Sequence, residues 1–219
     1  MTNTATEINS STGVSEAATP SVTNTDTAAI ASPPATITFA DFGLDPKIQK
    51  AVLEQGYNTP TPIQAQSIPH VLAGSDLMGA AQTGTGKTAA FVLPIIQKIL
   101  RHASNSASPA RHPIRALVLT PTRELAVQVA ENAANYSKHT DLRAAVVYGG
   151  VDMKEQVGIL RNGVEILIAT PGRLLDHIGS KVANLSQVEI LVLDEADRML
   201  DMGFLPDLQR IIDLIPAQR

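Results

Sequence analysis

Two short motifs, far apart in the chain, constrain the fold more than any other feature. They read Ala81-Gln82-Thr83-Gly84-Thr85-Gly86-Lys87-Thr88 and, directly after the aliphatic run Ile190–Leu193, Asp194-Glu195-Ala196-Asp197. Small residues in the first motif allow backbone N–H groups to surround phosphate oxygens, and the lysine and threonine that end it are suited to phosphate and Mg²⁺. A strand ending in an acid pair can bring a carboxylate to the same metal. The two motifs together indicate an α/β P-loop fold that binds a nucleoside triphosphate.

Each motif has a simpler interpretation when it is taken alone. Ala81 stands where a glycine usually begins a phosphate-binding loop, so the first motif could be a Gly-rich turn that caps a helix beside a surface lysine. An acidic tetrapeptide is usually solvated surface. The aliphatic run Ile190–Leu193 argues against that for the second motif, because four consecutive aliphatic residues predict a strand buried on both faces.

Short apolar runs alternate with amphipathic stretches along the rest of the chain. The predicted strands are Asp76–Gly79, Ala116–Thr120, Ala144–Tyr148, Ile166–Ala169 and Ile190–Leu193, and the predicted helices include Glu124–Ser137 and Pro206–Ile215. This alternation predicts a parallel sheet with helices on both faces. Ligands of such sheets bind outside the carboxyl ends of the strands. The segment Arg101–Pro113, rich in Ser, Pro, Asn and His, predicts a long surface loop.

Three further motifs follow predicted strands and therefore share that edge of the sheet. They are Pro121-Thr122-Arg123, Gly149-Gly150 and Thr170-Pro171-Gly172-Arg173. Glycine permits close approach, threonine hydroxyls and helix-start N–H groups bind phosphate, and arginine adds positive charge. Any one of them could be an ordinary strand-to-helix loop. Three at one edge favour contact with a nucleic-acid backbone, without sequence-specific recognition.

Upstream of the phosphate-binding motif lies the segment Gly56–Gln64, in which a carboxamide follows Tyr57 and Thr59. This segment resembles the adenine-recognising motif of a known family of ATP-binding enzymes, which implies that Gln64 accepts a hydrogen bond from the adenine amino group and donates one to a ring nitrogen, with Tyr57 or Phe39 over the face of the base. The alternative is a proline-rigidified surface turn with an incidental glutamine.

The motifs together resemble those of the DEAD-box RNA helicases, over about Phe39 to Arg219, and within that family the bacterial RhlE-type subgroup. The resemblance implies a RecA-like ATP-binding domain that uses ATP and Mg²⁺. The residues that it implicates in ATP binding are Phe39, Tyr57, Thr59, Gln64, Ala81, Gln82, Thr83, Gly84, Thr85, Gly86, Lys87 and Thr88. It places Thr88 and Asp194 on Mg²⁺ and makes Lys87, Asp194 and Glu195 catalytic, with Glu195 acting on the attacking water. It assigns RNA-backbone contact to Pro121, Thr122, Arg123, Gly149, Gly150, Thr170, Pro171, Gly172 and Arg173, and coupling to Asp197. For Asp197 the alternative is an exposed carboxylate at a helix start.

Composition narrows the remaining classes of protein. The chain of 219 residues is 44% hydrophobic, has no cysteine and carries a net charge of −4. We expect a cytoplasmic protein without disulfides, thiolate metal sites or a membrane span, and RNA binding that is weak and salt-sensitive. The five histidines, at positions 70, 102, 112, 139 and 177, lack metal-ligand spacing and are interpreted as surface or helix-end residues.

The expected domain organisation is a disordered tail over residues 1–35 and an incomplete RecA-like domain over residues 36–219. The tail is Thr-, Ser- and Ala-rich with few large apolar residues. The Ser-Ala-Thr segment and the second RecA-like domain of the family do not appear, so we expect these residues alone to bind ATP and to hydrolyse it poorly. The alternative to a helicase motor domain is a non-catalytic module that binds ATP and RNA, and a DNA translocase is a more distant one. The identity of the RNA and of any protein partner is not predicted.

Overall fold

The computed structural model describes residues 37–217, which contain four strands and eight α-helices. The strands are β1 (Ala116–Leu119), β2 (Ala144–Val147), β3 (Ile166–Ala169) and β4 (Ile190–Leu193). The helices are α1 (Pro46–Glu54), α2 (Pro62–Leu72), α3 (Lys87–Ile99), α4 (Arg123–Ser137), α5 (Met153–Arg161), α6 (Pro171–Gly179), α7 (Ala196–Asp201) and α8 (Leu205–Ile212). The predicted tail lies outside the described residues.

The four strands form one parallel sheet in the order β2-β3-β1-β4. Ala116 of β1 is paired with Ile166 of β3 and with Ile190 of β4. Because the strands are parallel and in register, their carboxyl ends lie along one side of the sheet, here called the carboxyl edge, and their starts along the opposite side, the amino edge. The predicted parallel sheet is confirmed.

Helices cover both faces of this sheet, as the alternating sequence predicts. Ala116 and Val118 of β1 belong to a hydrophobic cluster with residues of α1 to α4, whereas Leu117 and Leu119 belong to a second cluster with residues of α5 to α8. Successive side chains of a strand point to opposite faces, so a strand between two helical layers needs apolar residues at every position.

Within residues 37–217 no helix is both long and apolar enough to cross a membrane.

The strand predicted at Asp76–Gly79 is wrong. These residues lie outside the sheet, and the side chains of Leu77 and Met78 are 47% and 98% exposed. An extended segment becomes a strand only when a neighbour pairs with it. In the described chain the sheet ends at β4, which pairs with β1 and with no second strand. For the same reason β4 is only partly buried, with Leu193 37% exposed, instead of buried on both faces.

The predicted loop Arg101–Pro113 is present, with two short 3₁₀ turns. Of its two histidines, His112 is not at the surface, because it is 1% exposed. The His112 Nδ1 lies 2.5 Å from Oε1 of the buried Glu165, which directly precedes β3. Glu165 also accepts a hydrogen bond from the backbone N–H of Arg143, directly before β2. A buried polar pair therefore fastens this loop to the amino edge.

Candidate nucleotide and nucleic-acid site

The phosphate loop lies between the extended segment and the first turn of α3. Gly84 and Gly86 have φ angles of 80° and 87°, a region that suits glycine, and Gly86 caps α3. Lys87 is the first residue of the helix, and its Nζ donates to the carbonyl oxygen of Ala81 at 2.5 Å. The Thr85 hydroxyl donates to the carbonyl oxygen of Gln82 at 2.7 Å. The loop is thus folded on itself in front of a helix N-terminus, the position at which backbone N–H groups bind anions.

Gln64 joins the predicted adenine segment to this loop. Its Oε1 accepts from the Thr61 backbone N–H at 3.0 Å, and its Nε2 donates to the carbonyl oxygen of Gly86 at 3.0 Å. The side chain is nearly buried at 4% exposure. An amide oxygen has a second lone pair and an amide nitrogen a second hydrogen. Gln64 can therefore hold the loop and still present one donor and one acceptor to a base.

The other residues predicted near the base differ in exposure. Tyr57 is 40% exposed, with its ring 6.3 Å from that of Tyr136, and Thr59 is exposed. Phe39 is buried in the hydrophobic cluster that includes α1 to α4, and its ring packs edge-on against Phe42 at 5.8 Å. Of the two predicted aromatic covers, Tyr57 is the one presented at the surface.

Asp194 and Glu195 directly follow β4 at the carboxyl edge. The backbone N–H of Asp194 continues the ladder by donating to Leu119 at 2.9 Å. Glu195 has a φ of 52°, in the left-handed region that costs a side-chain-bearing residue about 1–2 kcal/mol. The Glu195 carboxylate accepts from Arg198 at 3.1 Å. The chain therefore turns sharply at Glu195, directly after Asp194.

Lys87 is near enough to Asp194 for its positive charge to lower the pKa of that carboxyl, so the phosphate loop and the acid pair are neighbours. Burial raises the pKa of the Asp194 carboxyl above its ordinary value, and the nearby Glu195 raises it further. Lys87 and a hydrogen bond from the Glu195 backbone N–H act in the opposite direction without cancelling the increase. A positive ion beside this carboxyl would stabilise its ionised form.

Thr88 and Asp197 are the remaining residues predicted for this part of the site. Thr88 is partly buried in the first turn of α3, and Asp197 is exposed in the first turn of α7. Among residues 37–217 no three His, Cys, Asp or Glu side chains gather as a metal cage. Mg²⁺ is usually bound in nucleotide sites by one or two protein oxygens together with phosphates and waters. The hydroxyl of Thr88 and the carboxylate of Asp194 fit that donor set.

The three predicted nucleic-acid motifs lie at the carboxyl ends of β1, β2 and β3. Thr122 caps α4 by accepting from the backbone N–H of Leu125 at 3.3 Å, and Pro171 begins α6 after Thr170. Pro121 is buried, whereas Gly149 and Gly150 are exposed. Two helix N-termini and a glycine pair therefore lie along the carboxyl edge, which also carries Asp194 and Glu195 after β4.

Side chains connect these three motifs to one another. The guanidinium of Arg123 lies over the Tyr148 ring, 6.0 Å from its centre. Arg173 donates through Nη2 to the carbonyl oxygen of Val151 at 3.1 Å, and its side chain is only 11% exposed. Arg123, at 51% exposure, is the more accessible of the two arginines. Arg173 holds the segment 148–151 in place.

Sequence reasoning missed two buried residues behind these motifs, Gln156 and His177. Gln156 is 5% exposed and His177 is fully buried; His177 lies in the last turn of α6, as the helix-end interpretation has it, but not at the surface. Both stand on the apolar stripes of their helices: Gln156 is four residues before Leu160, and His177 is three after Leu174. A polar residue at a stripe position was the available signal.

Comparison with known proteins identifies the family. A model of the DEAD/DEAH box helicase family matches residues 61–219. The ATP-dependent RNA helicase CshA of Listeria monocytogenes is 48% identical over 181 residues, which are 83% of this chain and 33% of that protein. The DEAD-box ATP-dependent RNA helicase RhpA of Helicobacter pylori is 45% identical over 180 residues, or 82% of this chain and 35% of that protein.

A third relative, the DEAD-box ATP-dependent RNA helicase CshA of Bacillus cereus, is 44% identical over 179 residues, which are 82% of this chain and 33% of that protein. The chain spans about a third of the length of the curated relatives it matches. These names do not test the resemblance to the RhlE-type subgroup, which stays a prediction. The family model covers more than half of the chain, and its match includes the phosphate loop, the acid pair and the three motifs of the carboxyl edge, so this chain belongs to the DEAD/DEAH box helicase family.

Proposed function

We propose that residues 36–219 form a RecA-like domain that binds ATP·Mg²⁺ and an RNA backbone, as part of an enzyme that hydrolyses ATP to open short RNA duplexes. The observation that carries this proposal is the phosphate loop folded at the N-terminus of α3, with Lys87 near enough to Asp194 after β4 for its charge to lower the pKa of that carboxyl. It joins a cation suited to phosphate and an acid suited to a metal in one site, next to the helix N-terminus of α3. The three relatives named above are all ATP-dependent RNA helicases, which supports the same activity.

Within this site we assign roles by chemistry. Lys87 and the backbone of the loop from Ala81 to Thr88 bind the phosphates, and Gln64 with Tyr57 binds adenine. Thr88 and Asp194 hold Mg²⁺, which supplies charge neutralisation on the phosphates. Glu195 orients the attacking water and accepts its proton. Phosphoryl transfer depends mainly on positioning and charge, so these few residues are the contribution that this domain needs to make to the reaction.

The RNA interface is proposed at the carboxyl edge, over the three motifs already described. Thr122, Gly149, Gly150 and Thr170 present hydroxyl and backbone N–H groups near two helix starts, and Arg123 adds an exposed charge. These groups read phosphate and sugar instead of base edges, so binding is independent of base sequence. Asp197 is exposed in the first turn of α7, and we assign it the role of coupling the nucleotide site to the rest of the enzyme.

Titration of the chain with a fluorescent ATP analogue and Mg²⁺ tests the nucleotide half. We expect Lys87→Ala to weaken binding at least tenfold, because charge-assisted bonds to phosphate contribute about 1.5–3 kcal/mol. Glu195→Gln should bind nearly as the unmodified chain, since Glu195 acts on water and not on the bound nucleotide. Lys50→Ala, which removes an exposed lysine from α1, is the matched control. Equal affinity of the unmodified chain and Lys87→Ala would contradict the assigned phosphate site.

A further inference from the structure

The segment from Tyr148 to Val151, here called the glycine-pair loop, is held at both ends by side chains from neighbouring elements. At its start the carbonyl oxygen of Tyr148 accepts from Gln156 Nε2 at 2.9 Å. At its end the carbonyl oxygen of Val151 accepts from Arg173 Nη2 at 3.1 Å. Gly149 and Gly150 lie exposed between these two anchors. The solvent-facing backbone of this loop is therefore held by two hydrogen bonds from side chains beneath it.

The anchor at Tyr148 continues into α6 through a second hydrogen bond. Gln156 Oε1 lies 3.0 Å from His177 Nε2, and both side chains are buried. Since Gln156 uses its NH₂ group on Tyr148, its oxygen is the atom that faces His177 and must accept. The opposite orientation of the amide would place two oxygens against each other. His177 therefore carries its proton on Nε2.

The environment keeps His177 in this neutral form. Burial lowers the pKa of His177, the charge of Arg173 lowers it further, and Asp176 opposes the two. Nδ1 of His177 has no hydrogen-bond partner among the described residues, so a second proton on the ring would have no acceptor there. A neutral histidine with one defined N–H gives Gln156 a single orientation, and that orientation directs its NH₂ to Tyr148.

We propose that Gln156 and His177 are positioning residues that set the glycine-pair loop for RNA binding and connect it to the Thr170–Arg173 motif. This inference rests on the proposed RNA contact of Gly149 and Gly150. Neither residue is expected to touch RNA. His177 is on the same helix as Arg173, so α6 fixes one end of the loop through His177 and Gln156 and the other end through Arg173. The two motifs thereby move as one unit.

Three substitutions separate this positioning role from simple packing. Gln156→Glu keeps the size of the side chain but removes the donor to Tyr148. His177→Leu fills the buried space but removes the donor to Gln156. His177→Gln restores an N–H that can reach Gln156. We expect the first two to weaken affinity for a fluorescein-labelled single-stranded oligouridylate by about three- to tenfold, and His177→Gln to recover at least half of the loss on a logarithmic scale.

The matched control is His112→Leu, which removes a buried histidine at the amino edge. It should lower the melting temperature as much as His177→Leu or more, while RNA affinity stays within twofold of the unmodified chain. ATP affinity, measured on the same samples, should be unchanged in all of these variants. If Gln156→Glu and His177→Leu bind the oligonucleotide as tightly as the unmodified chain, the proposal is wrong.

A second measurement does not require RNA. Backbone ¹⁵N order parameters of residues 149–151, measured by NMR relaxation, should fall in Gln156→Glu and His177→Leu, and not in His112→Leu. Unchanged order parameters in the first two variants overturn the positioning role. If the unmodified chain fails to bind the oligonucleotide, the proposed RNA function fails, and the order parameters still decide whether the two residues hold the loop.

Discussion

Gly86 is the residue at which the phosphate loop and the adenine segment depend on each other. Its φ of 87° suits glycine, and its carbonyl oxygen accepts the hydrogen bond from Gln64. A Cβ at this position would lie 2.3 Å from Gln64 Nε2, which is closer than atoms in proteins approach. Backbone conformation and side-chain space thus both require glycine here.

Comparison of Gly86→Ala with Gly84→Ala separates the lack of space for a side chain at position 86 from the cost of its backbone conformation. Both substitutions force alanine into the left-handed region, at about 1–2 kcal/mol each. A Cβ on Gly84 meets nothing within 4 Å, whereas on Gly86 it displaces Gln64 and leaves a buried amide without its partner, which costs about 1–3 kcal/mol more. We expect the melting temperature of Gly86→Ala to be lower than that of Gly84→Ala by about 2–10 °C. Equal melting temperatures would show that Gln64 moves aside without loss.

Asp194 gives the nucleotide-free domain a measurable dependence on pH. Its pKa is raised in the folded state, so the folded protein binds this proton more tightly than the unfolded chain does. The stability from that proton is complete below the ordinary aspartate pKa and is lost as the pH rises through the raised pKa. At neutral pH the ionised carboxylate is therefore destabilising.

We predict that Asp194→Asn raises the melting temperature of the nucleotide-free chain near neutral pH, and that the gain shrinks towards about pH 4. The same substitution should weaken Mg²⁺-dependent nucleotide binding, because it removes a negative ligand. Asp141→Asn, an exposed residue between α4 and β2, is the control and should change neither property. Thermal unfolding across that pH range measures the effect, and a gain independent of pH would contradict the titration of Asp194 as its cause.

At the scale of elements, the sequence predicts well those strands that have a pairing partner within the described chain. β1 and β3 are apolar throughout, lie between neighbouring strands and are fully buried. The run Asp76–Gly79 contains two large apolar residues, Leu77 and Met78, yet no neighbour pairs with it among the described residues and it stays outside the sheet. Strand formation depends on a partner far away in sequence, which local pattern does not specify.

The candidate site shows the same division between local and distant information. The phosphate loop and the acid pair were predicted because each is a contiguous motif whose chemistry is visible in the sequence. Gln156 and His177 belong to different helices, and their hydrogen bond arises only when α5 and α6 pack behind the carboxyl edge. His112 and Glu165 likewise meet across 53 residues of chain. Single polar residues on apolar stripes indicate burial but not the partner.

The amino edge supplies a prediction about how elements are held together. Glu165 is buried and contacts both His112 and the backbone of Arg143, whereas Glu189, before β4, is 30% exposed and pairs with Arg101 and Arg115. Removal of one partner of a buried pair costs about 3–5 kcal/mol, and loss of an exposed pair about 0–1 kcal/mol. Denaturant unfolding should therefore show a much larger loss for Glu165→Ala than for Glu189→Ala. Similar losses would mean that the loop Arg101–Pro113 is not fastened by Glu165.

The whole molecule divides its polar chemistry between the two edges of one sheet. Buried and partly buried charge pairs at the amino edge stabilise the ends of strands, while loops at the carboxyl edge present backbone and hydroxyl groups to ligands. The chain carries 17 basic and 21 acidic residues, so no general positive field draws RNA to this surface. Affinity for RNA must then come from few local charges and from hydrogen bonds.

This distribution predicts only a shallow dependence of RNA affinity on salt, in place of the salt-sensitive binding expected from the sequence, because few cations face the RNA. Each phosphate neutralised by a cation contributes a slope of about −0.7 for single strands in a plot of log affinity against log salt concentration. Among the arginines of the three motifs Arg123 is exposed, whereas Arg173 is 11% exposed and engaged with Val151. We expect a total slope between about −0.7 and −2 for the oligouridylate, reduced in magnitude by about 0.7 in Arg123→Gln.

Arg173→Gln should instead weaken binding at every salt concentration with little change in slope, because it releases the glycine-pair loop without removing an RNA-facing charge. A slope steeper than about −4, or equal slope changes in the two variants, would show that Arg173 or charges elsewhere on the molecule bind the phosphates directly.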